Sequence, residues 1–333
     1  MKSNDFGRRD FIRYGLISSL LILSGCLAPK NKLALRGFPN SFPSEFLNSL
    51  ATNWEFLPIK DIKSKTNPYE EALEGKSDLL VLNDGWISNL PFDSLKEIKV
   101  TNIRDQLSNQ ANSFLEGLGK DYKNRIFPLA VSPWVIIFRN EDSLALQNKN
   151  SWEVILSDKL SNQIVFPNSP YLLISIAKKI GFGNDLSKIK SQAKLFDDRN
   201  ALNWVISGRA NAAILPLSSC VDNLVEDPRL SIILPKEGSP LNWTVLASPG
   251  SSSQPFPSDW FDLLWGTTYS KRLRRKGFFP PTGLIDLSSK NIRIPQKYQS
   301  IFFPEESVWN ACWSLPILSF EDKKELALIW NNS

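Results

Sequence analysis

The stretch that most constrains this chain is residues 127–140, FPLAVSPWVIIFRN. Two short apolar strands are predicted there, separated by proline and ending in a turn at Arg139-Asn140. Pro128 and Pro133 each lack a backbone donor, so neither suits the interior of a buried central strand. Both suit a chain that leaves one sheet and enters another. Residues 235–249, PKEGSPLNWTVLASP, have the same make-up: turn residues, a tryptophan, then a short apolar run. Two such passages predict two lobes joined twice, with a cleft between them.

The beginning of the chain is set aside from the fold. A basic segment, Gly7-Arg8-Arg9-Asp10-Phe11-Ile12-Arg13, precedes an apolar run over residues 14–23. Ten residues are too few for a spanning helix, which needs ~20. A basic flank, a short apolar core and small residues before a cut site make an export signal. Arg8-Arg9 with Phe11 and Ile12 resembles the twin-arginine signal. Leu23-Ser24-Gly25-Cys26 resembles a bacterial lipobox, which implies cleavage before Cys26 and lipid on its sulfur. A plain secretory signal with an incidental cysteine is the alternative. Four matching positions directly after the apolar run favour the lipoprotein, so residues 1–25 are read as the signal.

The net charge of +5 includes Lys2, Arg8, Arg9 and Arg13 against Asp5 and Asp10 of that leader, and is too mild to argue for nucleic acid. With Cys26 assigned to the anchor, Cys220 and Cys312 remain, either paired after export or buried as free thiols. The chain contains no histidine. That removes Ser-His-Asp and Cys-His nucleophiles, His-ligated zinc and the usual general base. Gly75-Lys76-Ser77 imitates a phosphate-binding loop, but the glycine required five positions earlier is Glu70. Glu70-Glu71 and Glu305-Glu306 are adjacent pairs, which point apart on a helix and read as solvated surface. Residues 271–276 hold five basic side chains in six positions and read as the exposed, cationic end of a helix. No enzyme, cofactor or metal site is expected.

The order of elements predicts an α/β fold. Strands are expected at residues 33–35, 54–59, 78–82, 163–166, 212–215 and 232–235. Helices are expected with Phe46, Leu47 and Leu50 as one apolar face, and over 69–74, 151–156, 172–180 and 201–206. Residues 308–330, with three tryptophans, read as docked helices. Asp78–Leu82 is continuously apolar after its aspartate, as in a parallel sheet. In open α/β sheets ligands bind beyond the carboxyl ends of strands, which is where Asn83-Asp84-Gly85-Trp86 falls.

Taken together these segments resemble the extracytoplasmic solute-binding proteins of ABC importers, in particular the spermidine/putrescine-binding family. Residues 75–90 resemble that family's Tyr-Asp-Leu-Val-Val-Pro-Ser strand and following helix. Residues 125–140 resemble its first crossing, and Ser151-Trp152-Glu153-Val154-Ile155-Leu156 its Ser-Trp-x-x-Leu helix start. Pro235-Lys236-Glu237-Gly238 is similar to its Pro-x-Glu-Gly signature, and residues 275–282 to its Gly-Tyr-x-Pro-Thr segment. The resemblance implies the two-lobed type II periplasmic binding protein fold with two hinge crossings. Lobe 1 would comprise residues 33–129 plus 243–290, and lobe 2 residues 130–242 plus 291–333.

The resemblance further implies a periplasmic receptor, anchored through Cys26, that delivers a small solute to an ABC permease in the inner membrane. In the family, carboxylates ring the cleft to neutralise the ammonium groups of a polyamine. At the matching positions stand Asn40, Asn168, Tyr171 and Thr244, none acidic, while Asp84 retains a negative charge. The expected contacts are Asn40, Asp84, Trp86, Tyr171, Asn242 and Thr244. Trp86, Trp134, Asn242 and Trp243 would suit a monocation or a neutral, partly apolar solute. Ferric-ion binding, found in related folds, usually employs clustered tyrosines, and here they are dispersed. The alternative is an envelope interaction lipoprotein that keeps the fold without transport.

Overall fold

The computed structural model describes residues 32–39, 42, 44–47, 53–59, 68–74, 77–139, 150–183, 185–283 and 294–333. The leader, Cys26 and Asn40 lie outside the described residues.

The strands are β1 (Leu33–Gly37), β2 (Trp54–Pro58), β3 (Leu79–Asn83), β4 (Ile126–Arg139) and β5 (Ile164–Phe166). They continue with β6 (Ala193–Phe196), β7 (Ala212–Pro216), β8 (Leu230–Ile233), β9 (Pro240–Ala247) and β10 (Trp313–Ser314). Their order is β2-β1-β3-β9-β4-β7-β5-β6, with β8 beside β4 and β10 beside β9. The parallel runs β2-β1-β3 and β7-β5-β6 lie on opposite sides of β9 and β4. In β3, Leu79, Leu80, Val81 and Leu82 are all buried, as a strand covered on both faces requires.

β4 is one strand of 14 residues, not the two short strands that its prolines predict. Its first half pairs antiparallel with β9, from Ile126↔Ala247 to Pro133↔Leu241, with a register shift between Pro128 and Ala130. Its second half pairs antiparallel with β7, from Trp134↔Pro216 to Phe138↔Ala212. The strand therefore changes partner between Pro133 and Trp134. One proline flanks an irregularity and the other ends a ladder, where a missing donor is tolerated. The chain crosses between sheets as expected, without breaking.

Residues 234–239 make the return from β8 to β9. Gly238 takes φ +80°, and a Cβ there would lie 2.2 Å from the Ala311 carbonyl carbon. The Trp152 indole donates to the Gly238 carbonyl at 2.8 Å, and Ser239 Oγ donates to the Trp134 carbonyl. The two crossings are thus bonded to each other. This is a mixed α/β, two-lobed periplasmic-binding-protein fold. One hydrophobic cluster extends from the first sheet onto one face of the second. A separate cluster, built on Ile136, Phe138, Trp152 and Phe166, fills the other face.

The basic run at 271–276 departs from its expected exposure. Arg274, in the helix Thr267–Arg275, is 2% exposed and lies 5.0 Å from the Phe279 ring and 5.2 Å from that of Phe303. A weakly hydrated, planar guanidinium can pack on aromatic faces in this way. Lys276 does reach the surface, 3.0 Å from Asp222. Cys220 and Cys312 are both free and buried.

Candidate functional site

Strand directions place the site. β1 and β3 run parallel and β9 antiparallel to them, so Gly37, Asn83 and the start of β9 share one end of the first sheet. β4 leaves that same end, and Trp134 then faces Pro216, the last residue of β7. β5 and β6 run parallel to β7. The carboxyl ends of the parallel strands in the two sheets therefore face one another across the Pro133–Trp134 switch.

Asp84 stands directly beyond β3, at the head of the 3-10 turn Asp84–Asn89. Its neighbour Asn83 pairs with Thr244 on β9. The carboxylate accepts hydrogen bonds from the N–H groups of Trp243 and of Gly85, the latter at 3.0 Å. Burial nevertheless dominates, and its pKa is raised from 3.8 to about 7. Desolvation disfavours the charged form more than these donors favour it.

Trp86, two residues on, is half-buried, with ring centroids 5.5 Å from Tyr69 and 5.9 Å from Phe38. Asn242 is half-buried on β9 opposite Ser132, whose hydroxyl accepts from the Ser218 N–H at 3.0 Å. Thr244 is wholly buried between β3 and β4. Trp243 is also wholly buried, stacked 4.7 Å from Phe114, with its indole N–H on Ser314 Oγ at 2.8 Å. The chain thus gathers Asp84, Trp86, Asn242 and Thr244 around the junction of β3 and β9.

Tyr171 belongs to the other sheet. Beyond β5, Ser169 caps the helix Pro170–Lys179, accepting from the Leu172 N–H at 3.4 Å, and Tyr171 lies in its first turn. Its phenol is half-buried and its pKa is raised, first by desolvation and then by the charge of Asp322. Asp322 and its neighbour Lys323, which reaches Ser88 at 3.0 Å, were not foreseen from sequence. Their partners lie far away in the chain, and no local pattern marks them. Among the described residues no group of three His, Cys, Asp or Glu is placed to hold a metal ion, and no helix is long and apolar enough to cross a membrane.

Comparison with known proteins gives this geometry a class. Residues 84–301 match the bacterial extracellular solute-binding protein family, and the chain belongs to that family. No curated protein matches the sequence. A spermidine/putrescine ABC transporter protein of Listeria monocytogenes is similar over 91% of this chain and 98% of its own, at 14% identity and TM-score 0.64. The PotD lipoprotein of Treponema pallidum covers 90% and 98%, at 11% identity and TM-score 0.64. The apo ferric ion-binding protein A of Pasteurella haemolytica covers 91% and 97%, at 11% identity and TM-score 0.60. At such identities these likenesses speak for the fold alone.

Proposed function

We propose that the protein captures a small solute bearing a single positive charge between its lobes and passes it to an ABC permease in the inner membrane. The lobes are residues 33–129 plus 243–290 and residues 130–242 plus 291–333. The partner exchange of β4 at Pro133 and the return through residues 234–239 support two lobes joined twice, with the handovers a few residues from these limits and Trp313–Ser314 paired to the first sheet. Hinge closure about these two passages would then bring Tyr171 toward Asp84, with the closed form stabilised by solute contacts from both lobes. The protein is not an enzyme in this reading. Export by the twin-arginine signal and lipidation of Cys26 would hold it at the periplasmic side of a membrane.

The observation that carries the solute class is Asp84. A half-buried carboxylate with pKa about 7, two residues before the half-buried Trp86, is relieved by one positive charge. A polyamine would bring further ammonium groups, and each left unpaired would cost several kcal/mol. For ferric ion, tyrosines are the usual ligands. Tyr69, Tyr122 and Tyr298 instead donate to the carbonyls of Val81, Leu90 and Leu230.

Thermal unfolding of the full chain against monoamines, putrescine, spermidine, amino acids, sugars and ferric ion tests this reading. A solute at 100 times its Kd adds about 2.7 kcal/mol. A shift with a monoamine, larger at pH 8 than at pH 5, is expected. A shift with spermidine and none with any monoamine would overturn the assignment.

A further inference from the structure

The C-terminal helix Phe320–Asn332 reaches both sides of the candidate site. Ser319 starts it with a capping box, in which its hydroxyl accepts from the Asp322 N–H at 3.1 Å. Within the next turn, Lys323 Nζ donates to Ser88 Oγ at 3.0 Å, and Ser88 belongs to the turn that Asp84 begins. The same helix packs against the helix Pro170–Lys179, whose first turn carries Tyr171, and the charge of Asp322 raises the pKa of that phenol. Ser88 follows the carboxyl end of β3, and Tyr171 follows that of β5. The first turn of the helix therefore stands between the two strand ends that face each other.

The rest of the helix is rooted on one side. Leu326 and Trp330 pack against the second core cluster. The Trp330 ring meets Phe196 edge-on at 5.7 Å, with Lys190 Nζ 4.8 Å from its centroid. Lys190 also donates to the carbonyls of Trp330 and, at 2.9 Å, Ser333. Aromatic and apolar contacts thus hold the far end, whereas an exposed ammonium–hydroxyl bond holds the near end. The near end is the part that gives first.

We propose that this helix is a strap across the mouth of the cleft, rooted on the second lobe and latched to the first by Lys323 at Ser88. The latch must release before the lobes change their separation and a solute reaches Asp84. The proposal rests on the lobe division given above.

Its test needs no solute. In the full chain carrying Cys26→Ser, spin labels on cysteines replacing Lys99 and Lys159 report the distance between lobes. A second pair replacing Lys159 and Glu226 reports within the second lobe. Both native thiols are buried and stay unlabelled. The Lys99–Lys159 distribution should be narrow in the otherwise unaltered chain and at least twice as wide in Lys323→Ala. The same widening is expected in Leu326→Asp/Trp330→Asp, which frees the root, while Lys323→Arg, which keeps a donor, stays narrow. An unchanged Lys99–Lys159 width in both releasing variants, with the within-lobe pair narrow, overturns the strap alone. A within-lobe pair that widens overturns the lobe limits and the strap built upon them.

Discussion

Asp84→Asn removes the one charge on which the proposed solute class depends, and its effect has a definite sign. The folded pKa, about 7, lies above the ordinary 3.8 because burial outweighs the donors from Trp243 and Gly85. The folded protein therefore binds the Asp84 proton more tightly than the unfolded chain does. That contribution to stability is complete below the unfolded value and disappears as pH rises through the folded one. A rise from 3.8 to about 7, at ~1.4 kcal/mol per unit, sets an upper bound of about 4 kcal/mol. Partial solvent screening of this half-buried group reduces it to the order of 2 kcal/mol. Asparagine has the size of the protonated acid and no charge to desolvate. Urea unfolding at pH 5 and pH 8, with both proteins showing the same slope, separates the two. Asp84→Asn should match the parent only below pH 3.8, exceed it by somewhat under ~1 kcal/mol at pH 5, and exceed it by about 2 kcal/mol at pH 8. Equal changes with pH in both proteins would refute burial as the dominant influence on Asp84.

Other consequences are open to simple measurement. Gly238→Ala should lower stability by about 2 kcal/mol or more in urea unfolding, because positive φ and a 2.2 Å clash with Ala311 coincide there. Gly181→Ala has the same φ of +80° and no atom within 4 Å, so the loss should be only ~1 kcal/mol. Trp152→Phe leaves the buried Gly238 carbonyl without its 2.8 Å donor and should cost about 1–3 kcal/mol by the same assay. Burial pushes the Cys312 thiol up to about 11 and the Cys220 thiol higher still. Mass spectrometry after alkylation at pH 8 should therefore find neither modified in the folded protein and both modified in urea.

Where local chemistry decided the outcome, the sequence was legible. Pro128 and Pro133 lack donors wherever they stand, so they announced an irregular, partner-changing passage before any neighbour was known. The apolar run Leu79–Leu82 announced a strand covered on both faces, and its polar continuation from Asn83 marked the end where Asp84 now sits. Other features depended on partners remote in sequence. β4 stays continuous because β9 and β7 take it up in succession, with Pro133 at the handover. β10 exists only as an addition to β9. Arg274 read as one more surface cation until Phe279 and Phe303 enclosed it. Lys323 meets Ser88 across 235 positions of chain, a juxtaposition that no spacing rule contains. A missing backbone donor or an alternation of apolar residues acts over a few residues, so sequence alone established the crossings and the strand ends. Burial of Asp84 and Arg274, and the packing of the C-terminal helix with Lys323 on Ser88, arise from contacts between distant segments and were decided only by the tertiary structure.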